Sequence, residues 1–201
     1  MNDLKSVTEK FFEIQSNPGI FFKKFLESAK KNTSQKRISK GILYNIRPYQ
    51  AHRAGFKQGK EIKSLSKNTK NIHIYYLDHN DNVVLIEIYG QCEKIINREF
   101  YFYKKNSIES AYFDDSERIR NITLSSLIDG KFIQDINVGR YGTSIYTYQY
   151  IDNLVKLILV NQKEYDQDES STFQILFDYS DEEPSRIVNI FPNGYEEQIF
   201  P

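Results

Sequence analysis

Hydrophobic positions recur every three or four residues over roughly the first 30 residues, then every second residue over most of the remaining chain, a change from helical to strand period. Leu4, Val7, Phe11 and Ile14 mark one face of an amphipathic helix over residues 3–16, with Asp3 placed to cap or favour its first turn. Asn17-Pro18 ends that helix and opens another, because proline at the first helical position gives up only an N–H that would be unpaired there. Phe21, Phe22, Phe25, Leu26 and Ala29 supply the second stripe, and the pair is expected to cover one face of a sheet.

From Arg37 the period is two, with Ile42, Tyr44 and Ile46 on one face until Pro48 stops the run. Residues 49–70 lose periodicity; rich in Lys, Gln, Ser and Gly, this stretch is longer than an idle connection and is either mobile or functional. Strands then come in close succession: 72–77, 83–89, 98–103, 108–113, 119–124, 131–136, 144–151, 154–160, 172–177, 186–191 and 195–200. Asp129-Gly130, Asp152-Asn153 and Asn193-Gly194 are pairs that tolerate positive φ, as tight hairpins require. The predicted fold is α+β and mostly β: two N-terminal helices packed on an antiparallel β-meander, as an open sheet, half-barrel or sandwich. It forms a single domain over 1–201, with a helical segment at 1–32, a basic strand and long loop at 36–70, and the meander at 71–201.

Alternation places Tyr146, Tyr148 and Tyr150 on one face of their strand and Ile145, Thr147 and Ile151 on the other, while Phe100 and Phe102 oppose Tyr101 and Tyr103. Strands that are aromatic on both faces imply that the second face is also covered, by the helices or by a partner.

Charge changes the picture more than composition does. The net charge is zero, yet residues 1–70 hold 16 Lys and Arg against 5 Asp and Glu, and residues 71–201 hold 11 against 22. Such a split points to a charged partner or to two parts that face each other. Asp166, Asp168, Glu169, Asp181, Glu182 and Glu183 flank the strand at 172–177 and would form an acidic docking patch if their loops met at one sheet end. Lys36, Arg37, Lys40, Arg47, Arg53, Lys57, Lys60 and Lys63, interleaved with Tyr44, Tyr49 and Phe56, give the alternative, a nucleic-acid-binding segment over 36–70. The acidic half would be repelled by a phosphate backbone, so nucleic acid is the lesser expectation.

The chemistry of catalysis is sparse. His52, His73 and His79 stand in no metal or nucleophile spacing, and Cys92 lies between Gln91 and Glu93, which give no reason for a lowered thiol pKa. Asp78-x-Asn80-x-Asn82 begins like a calcium loop, but Val83 stands where glycine must bend the chain and Tyr89 where the bidentate glutamate belongs. With no phosphate loop or nucleophile elbow, the expectation is a non-catalytic protein without metal or cofactor, an enzyme with an unrecognised site being a further alternative. Residues 1–10 lack the apolar run of a signal peptide, no stretch approaches the roughly 20 apolar residues of a span, and one cysteine makes no internal disulfide. A cytoplasmic protein with no membrane contact is expected.

The Tyr/Asx hairpin units Tyr75-Tyr76-Leu77-Asp78-His79-Asn80-Asp81-Asn82, Tyr148-Gln149-Tyr150-Ile151-Asp152-Asn153 and Phe177-Asp178-Tyr179 give the chain a style that resembles the immunity proteins of bacterial polymorphic-toxin and contact-dependent inhibition systems. The resemblance implies a protein that neutralises a cognate toxin domain, commonly a nuclease, by direct contact. The acidic loops and the Tyr146, Tyr148 and Tyr150 face are then the expected contact residues.

Overall fold

The computed structural model describes residues 2–65, 69–90 and 95–201; Cys92 lies outside them. Two helices open the chain, α1 (Asn2–Ser16) and α2 (Pro18–Asn32), and Pro18 begins the second as its position predicts. Strand β1 (Gln35–Lys40) comes next, then an extended strap over 41–59 that contains the one-turn helix α3 (Gln50–Arg53), and then β2 (Lys60–Ile62).

The rest is a meander: β3 (Ile72–Leu77), β4 (Val83–Tyr89), β5 (Ile96–Lys104), β6 (Ser107–Phe113), β7 (Ile119–Ile128), β8 (Lys131–Gly139), β9 (Gly142–Ile151), β10 (Leu154–Glu164), β11 (Ser171–Ser180), β12 (Glu183–Ile190) and β13 (Glu196–Phe200). All pair antiparallel in one open 13-stranded sheet, in sequence order from β3 to β13, with β1 added beside β3 and β2 at the edge. The two-residue turns obey the backbone rule: Asp129-Gly130 and Asp152-Asn153 both have positive φ throughout, and so does Asp181-Glu182, which carries no glycine or asparagine to announce it.

Each face of the sheet has its own cover. On one, Val7, Phe11, Ile14, Phe22, Phe25 and Ala29 of the helices pack on Leu85, Phe100, Ala111, Phe113, Ile122 and Val138. Phe22 and Phe25 meet Phe100 and Phe113 mostly edge to face, at 5.4 to 6.2 Å between centroids, the geometry that ring quadrupoles favour. The strap covers the opposite face, where Leu43, Tyr44 and Ile46 pack against Tyr75, Leu77, Val83, Ile86 and Tyr101. Farther along, Tyr49 joins Tyr148, Ile158, Phe177 and Phe200. In β5 both faces are thus interior, Phe100 under the helices and Tyr101 under the strap.

Of the strand expected from Arg37 up to Pro48, only the first part forms, as β1, and residues 42–46 join no sheet. Their backbone finds other partners: the Leu43 N–H donates to the Tyr75 hydroxyl at 2.9 Å, the Leu43 carbonyl accepts from the Gln58 amide at 2.8 Å, and the Ile42 carbonyl accepts from the Gly59 N–H at 2.6 Å. Side chains that read as one strand face are therefore buried by an extended chain lying across the sheet rather than within it. The strap returns on itself where Gly59 meets Gly41: a Cβ on Gly59 would stand 2.5 Å from the Gly41 carbonyl carbon.

The close approach leaves no room for a side chain at this point. Gly59→Ala should destabilise the protein by about 1–3 kcal/mol, the usual cost of overpacking. Gly90→Ala, where an added Cβ meets nothing within 4 Å, should change the urea midpoint little.

Candidate functional site

Beneath the strap the sheet changes character. Ser110 of β6, Thr123 and Ser125 of β7, Asp135 of β8 and Glu99 of β5 are polar yet buried, on the strap-facing side of their strands. Alternation forces them there, because their neighbours Phe100, Ala111, Ile122 and Ile136 supply the helix-facing core. Buried polar groups need partners, and the strap supplies them.

Arg47 is the chief one. Its Nε donates to Ser125 Oγ at 3.2 Å and its Nη2 to Ser110 Oγ at 2.8 Å, while Glu99 and Asp135 stand 3.8 and 3.7 Å from its guanidinium. Burial alone would pull the Arg47 pKa down, but the negative charges of Glu99 and Asp135 outweigh it and the net shift is upward. Arg53 of α3 makes the second bridge. Its guanidinium donates to the Tyr148 hydroxyl at 3.0 Å, lies 5.3 Å from the Tyr146 ring centre and 5.8 Å from that of Tyr148, and has no carboxylate of the described residues at ion-pairing distance. The Tyr148 hydroxyl in turn donates to Asp135 Oδ2 at 2.5 Å, and burial pushes its own pKa well up.

A cavity of about 480 Å³ opens beside this network. Arg47, Arg53, Asn121, Asp135, Asn137 and Asn189 give it polar walls, and Phe173, Ile175 and Ile199 an apolar one. Two buried oxygens at its lining residues, Asp135 Oδ1 and Asn189 Oδ1, have no hydrogen-bond partner.

The structure redistributes the residues that the sequence singled out. Asp166, Asp168 and Glu169 lie between β10 and β11, Asp181 and Glu182 between β11 and β12, with Glu183 opening β12, so the two acidic groups stand at opposite ends of β11 and form no common patch. Tyr146, Tyr148 and Tyr150 face the strap: Tyr148 is buried, Tyr150 donates to the Phe132 carbonyl at 2.9 Å, and Tyr146 lies under Arg53, so the expected outward aromatic face is an inward one. Of the basic segment, Arg47 and Arg53 are used inside, Tyr44 packs edge to face on Tyr75 at 4.9 Å, and Lys36 lies over the Tyr76 ring. The cation and aromatic series is therefore divided between interior and surface. Sequence reasoning missed Asp135, Asn137 and Asn189 altogether, although a lone aspartate between Gln134 and Ile136 in a strand of regular alternation was a legible sign of a buried charge.

The Asp78 turn is an Asx turn. Asp78 Oδ1 accepts the N–H groups of Asn80 and Asn82 at 2.8 and 2.9 Å, and these bonds, with one from the Asn82 side chain, lower the carboxyl pKa against the upward pull of burial. Among the described residues no group of three or more His, Cys, Asp or Glu is placed to hold a metal ion, and no helix is long and apolar enough to cross a membrane.

No family model matches the chain, and no curated protein or solved structure matches it either.

The buried charges can be tested through stability. Arg47→Ala leaves Glu99 and Asp135 without their cation and should cost about 3–5 kcal/mol in denaturant unfolding, the range for breaking a buried pair. Part of that loss should return as the pH is lowered, since the variant's carboxyls can then bind protons.

His73 is buried, and burial lowers its pKa from 6.5 to about 4. Between those values the unfolded chain binds the proton and the folded one does not, so stability should fall as pH drops through this window, by about 3 kcal/mol in full. Burial lowers His52 in the same direction. In His73→Leu, urea midpoints measured from pH 7 to 4 should decline less steeply.

Proposed function

We propose that this is a non-catalytic binding protein that neutralises a cognate toxin domain by direct contact, a basic nuclease domain being the partner whose charge it suits. One observation carries the reading: the chemistry of one end of the sheet along β7 to β12, beyond the Lys104-Lys105 turn. Three successive hairpins, β7–β8, β9–β10 and β11–β12, turn there and present Asp129, Asp152, Asp181, Glu182 and Glu183, all exposed. Neighbouring hairpins are about 10 Å apart in a sheet, so these carboxylates form a row.

Ile128 and Ile151, at 58% and 60% exposure, precede two of the turns, so apolar contact area lies within the acidic row. Lys131 is the one base in these turns, and it donates to Asn153 Oδ1 at 2.5 Å. Glu182 holds φ +68, a conformation that glycine or asparagine adopts at lower cost, so backbone preference does not account for the carboxylate there. A row of like charge speeds the approach of a basic surface, and the isoleucines supply area that a purely electrostatic contact lacks. The acidic group at 166–169 takes no part, because it lies at the other end.

The test compares two baits, the native protein and an Asp129→Lys, Asp152→Lys, Asp181→Lys, Glu182→Lys variant, in affinity capture from the native host. The expected partner arrests growth when expressed alone, is suppressed by the native protein, and binds the variant at least about tenfold more slowly at low salt. Equal capture and equal protection by the variant, or the absence of any growth-arresting partner, would overturn the reading.

A further inference from the structure

The cavity under the strap carries unsatisfied chemistry of both signs. Asp135 is 2% exposed, and its Oδ2 is engaged by Tyr148 while its Oδ1 has no partner. A buried carboxylate oxygen left without a donor costs more than most folds tolerate, so the position calls for a donor that the chain does not provide. Arg53 presents the complement. Of the five N–H donors of its guanidinium, one is used by Tyr148, and no carboxylate of the described residues pairs with it. Tyr148 joins the two: its oxygen accepts from Arg53 and donates to Asp135, so a cation with unused donors and a carboxylate with an unused oxygen meet across a single phenol.

We infer that this cavity binds a free α-amino acid with a large, mainly apolar side chain. The ligand's carboxylate lies on the Arg53 guanidinium, a planar fork suited to it, and its ammonium donates to Asp135 Oδ1. The short link through Tyr148 selects charges carried on the same carbon; a dipeptide separates them by a further residue of about 3.8 Å. Phe173, Ile175 and Ile199 form the wall for the side chain, and the cavity's volume of about 480 Å³ lies within the usual range for small-molecule sites. Asn189, also in the lining, donates its amide N–H to Glu197 at 3.1 Å. Arg47 is a positioning residue here: held by Ser110 and Ser125, it keeps Asp135 in place without needing to touch the ligand.

The site is separate from the acidic row of turns, so its test stands apart from that of toxin binding. Titration calorimetry of the full-length protein with L-tyrosine and L-tryptophan should show saturable one-to-one binding. Tyramine, which lacks the carboxylate, and 3-(4-hydroxyphenyl)propanoate, which lacks the ammonium, should each bind at least about tenfold more weakly than tyrosine. Arg53 is half-buried on a one-turn helix, and Arg53→Gln, checked for an unchanged circular dichroism spectrum, should weaken tyrosine to the same extent. No heat with either amino acid up to its solubility limit, equal affinity for the analogue lacking the ammonium, or unchanged affinity in Arg53→Gln would each overturn the assignment. The analogue series needs no variant, so it decides the matter even if substitutions at Asp135 fail to fold.

Discussion

The fold turns on one largely buried guanidinium. Arg47 joins the strap to the sheet by bonding serines on two adjacent strands and standing between the carboxylates of Glu99 and Asp135. An uncompensated charge in that position would cost several kcal/mol, so the strap and the polar stripe of β5 to β8 exist only as a pair. With the strap in place, Tyr44 reaches Tyr75, Tyr49 reaches Phe177, and α3 is delivered to β12 and β13, where His52 packs on Phe200. The second face of a very long sheet is thereby closed without a second sheet.

The two covers differ in kind. The helix face is a conventional apolar contact in which phenylalanines interdigitate, and its stability scales with buried area. The strap face mixes aromatic patches with a charged centre, so its packing is set by hydrogen-bond geometry and tolerates less rearrangement. That division places the molecule's chemistry on one face. Cavity, unpartnered oxygens and the Arg53 to Asp135 relay all lie under the strap, while the acidic turns lie along an end where strand connections project into solvent.

Regular structure was legible because it is local. The helices at 3–16 and 18–30 and nearly every strand of the meander arise from periods of 3.6 and 2, and most boundaries agree to within a few residues. Turns carrying Asp-Gly or Asp-Asn were legible for the same reason; at Asp181-Glu182 hairpin closure and not residue preference imposed the positive φ. The strand read from Arg37 up to Pro48, which forms only as far as Lys40, shows the limit of periodicity: alternation in Ile42, Tyr44 and Ile46 records burial and says nothing of whether a neighbouring strand or a Tyr75 hydroxyl satisfies the backbone.

From its sequence alone the chain determined its class, an α+β antiparallel meander behind two helices, because patterning and turn chemistry act over a few residues. Which loops share an end of the sheet, that Tyr146 to Tyr150 look inward, and that Arg47, Arg53, Asp135 and Asn189 line one cavity were decided only by tertiary structure. Those residues are separated by up to 142 positions in the chain, and their meeting depends on strand count, register and the path of the strap, none of which is written into any short stretch.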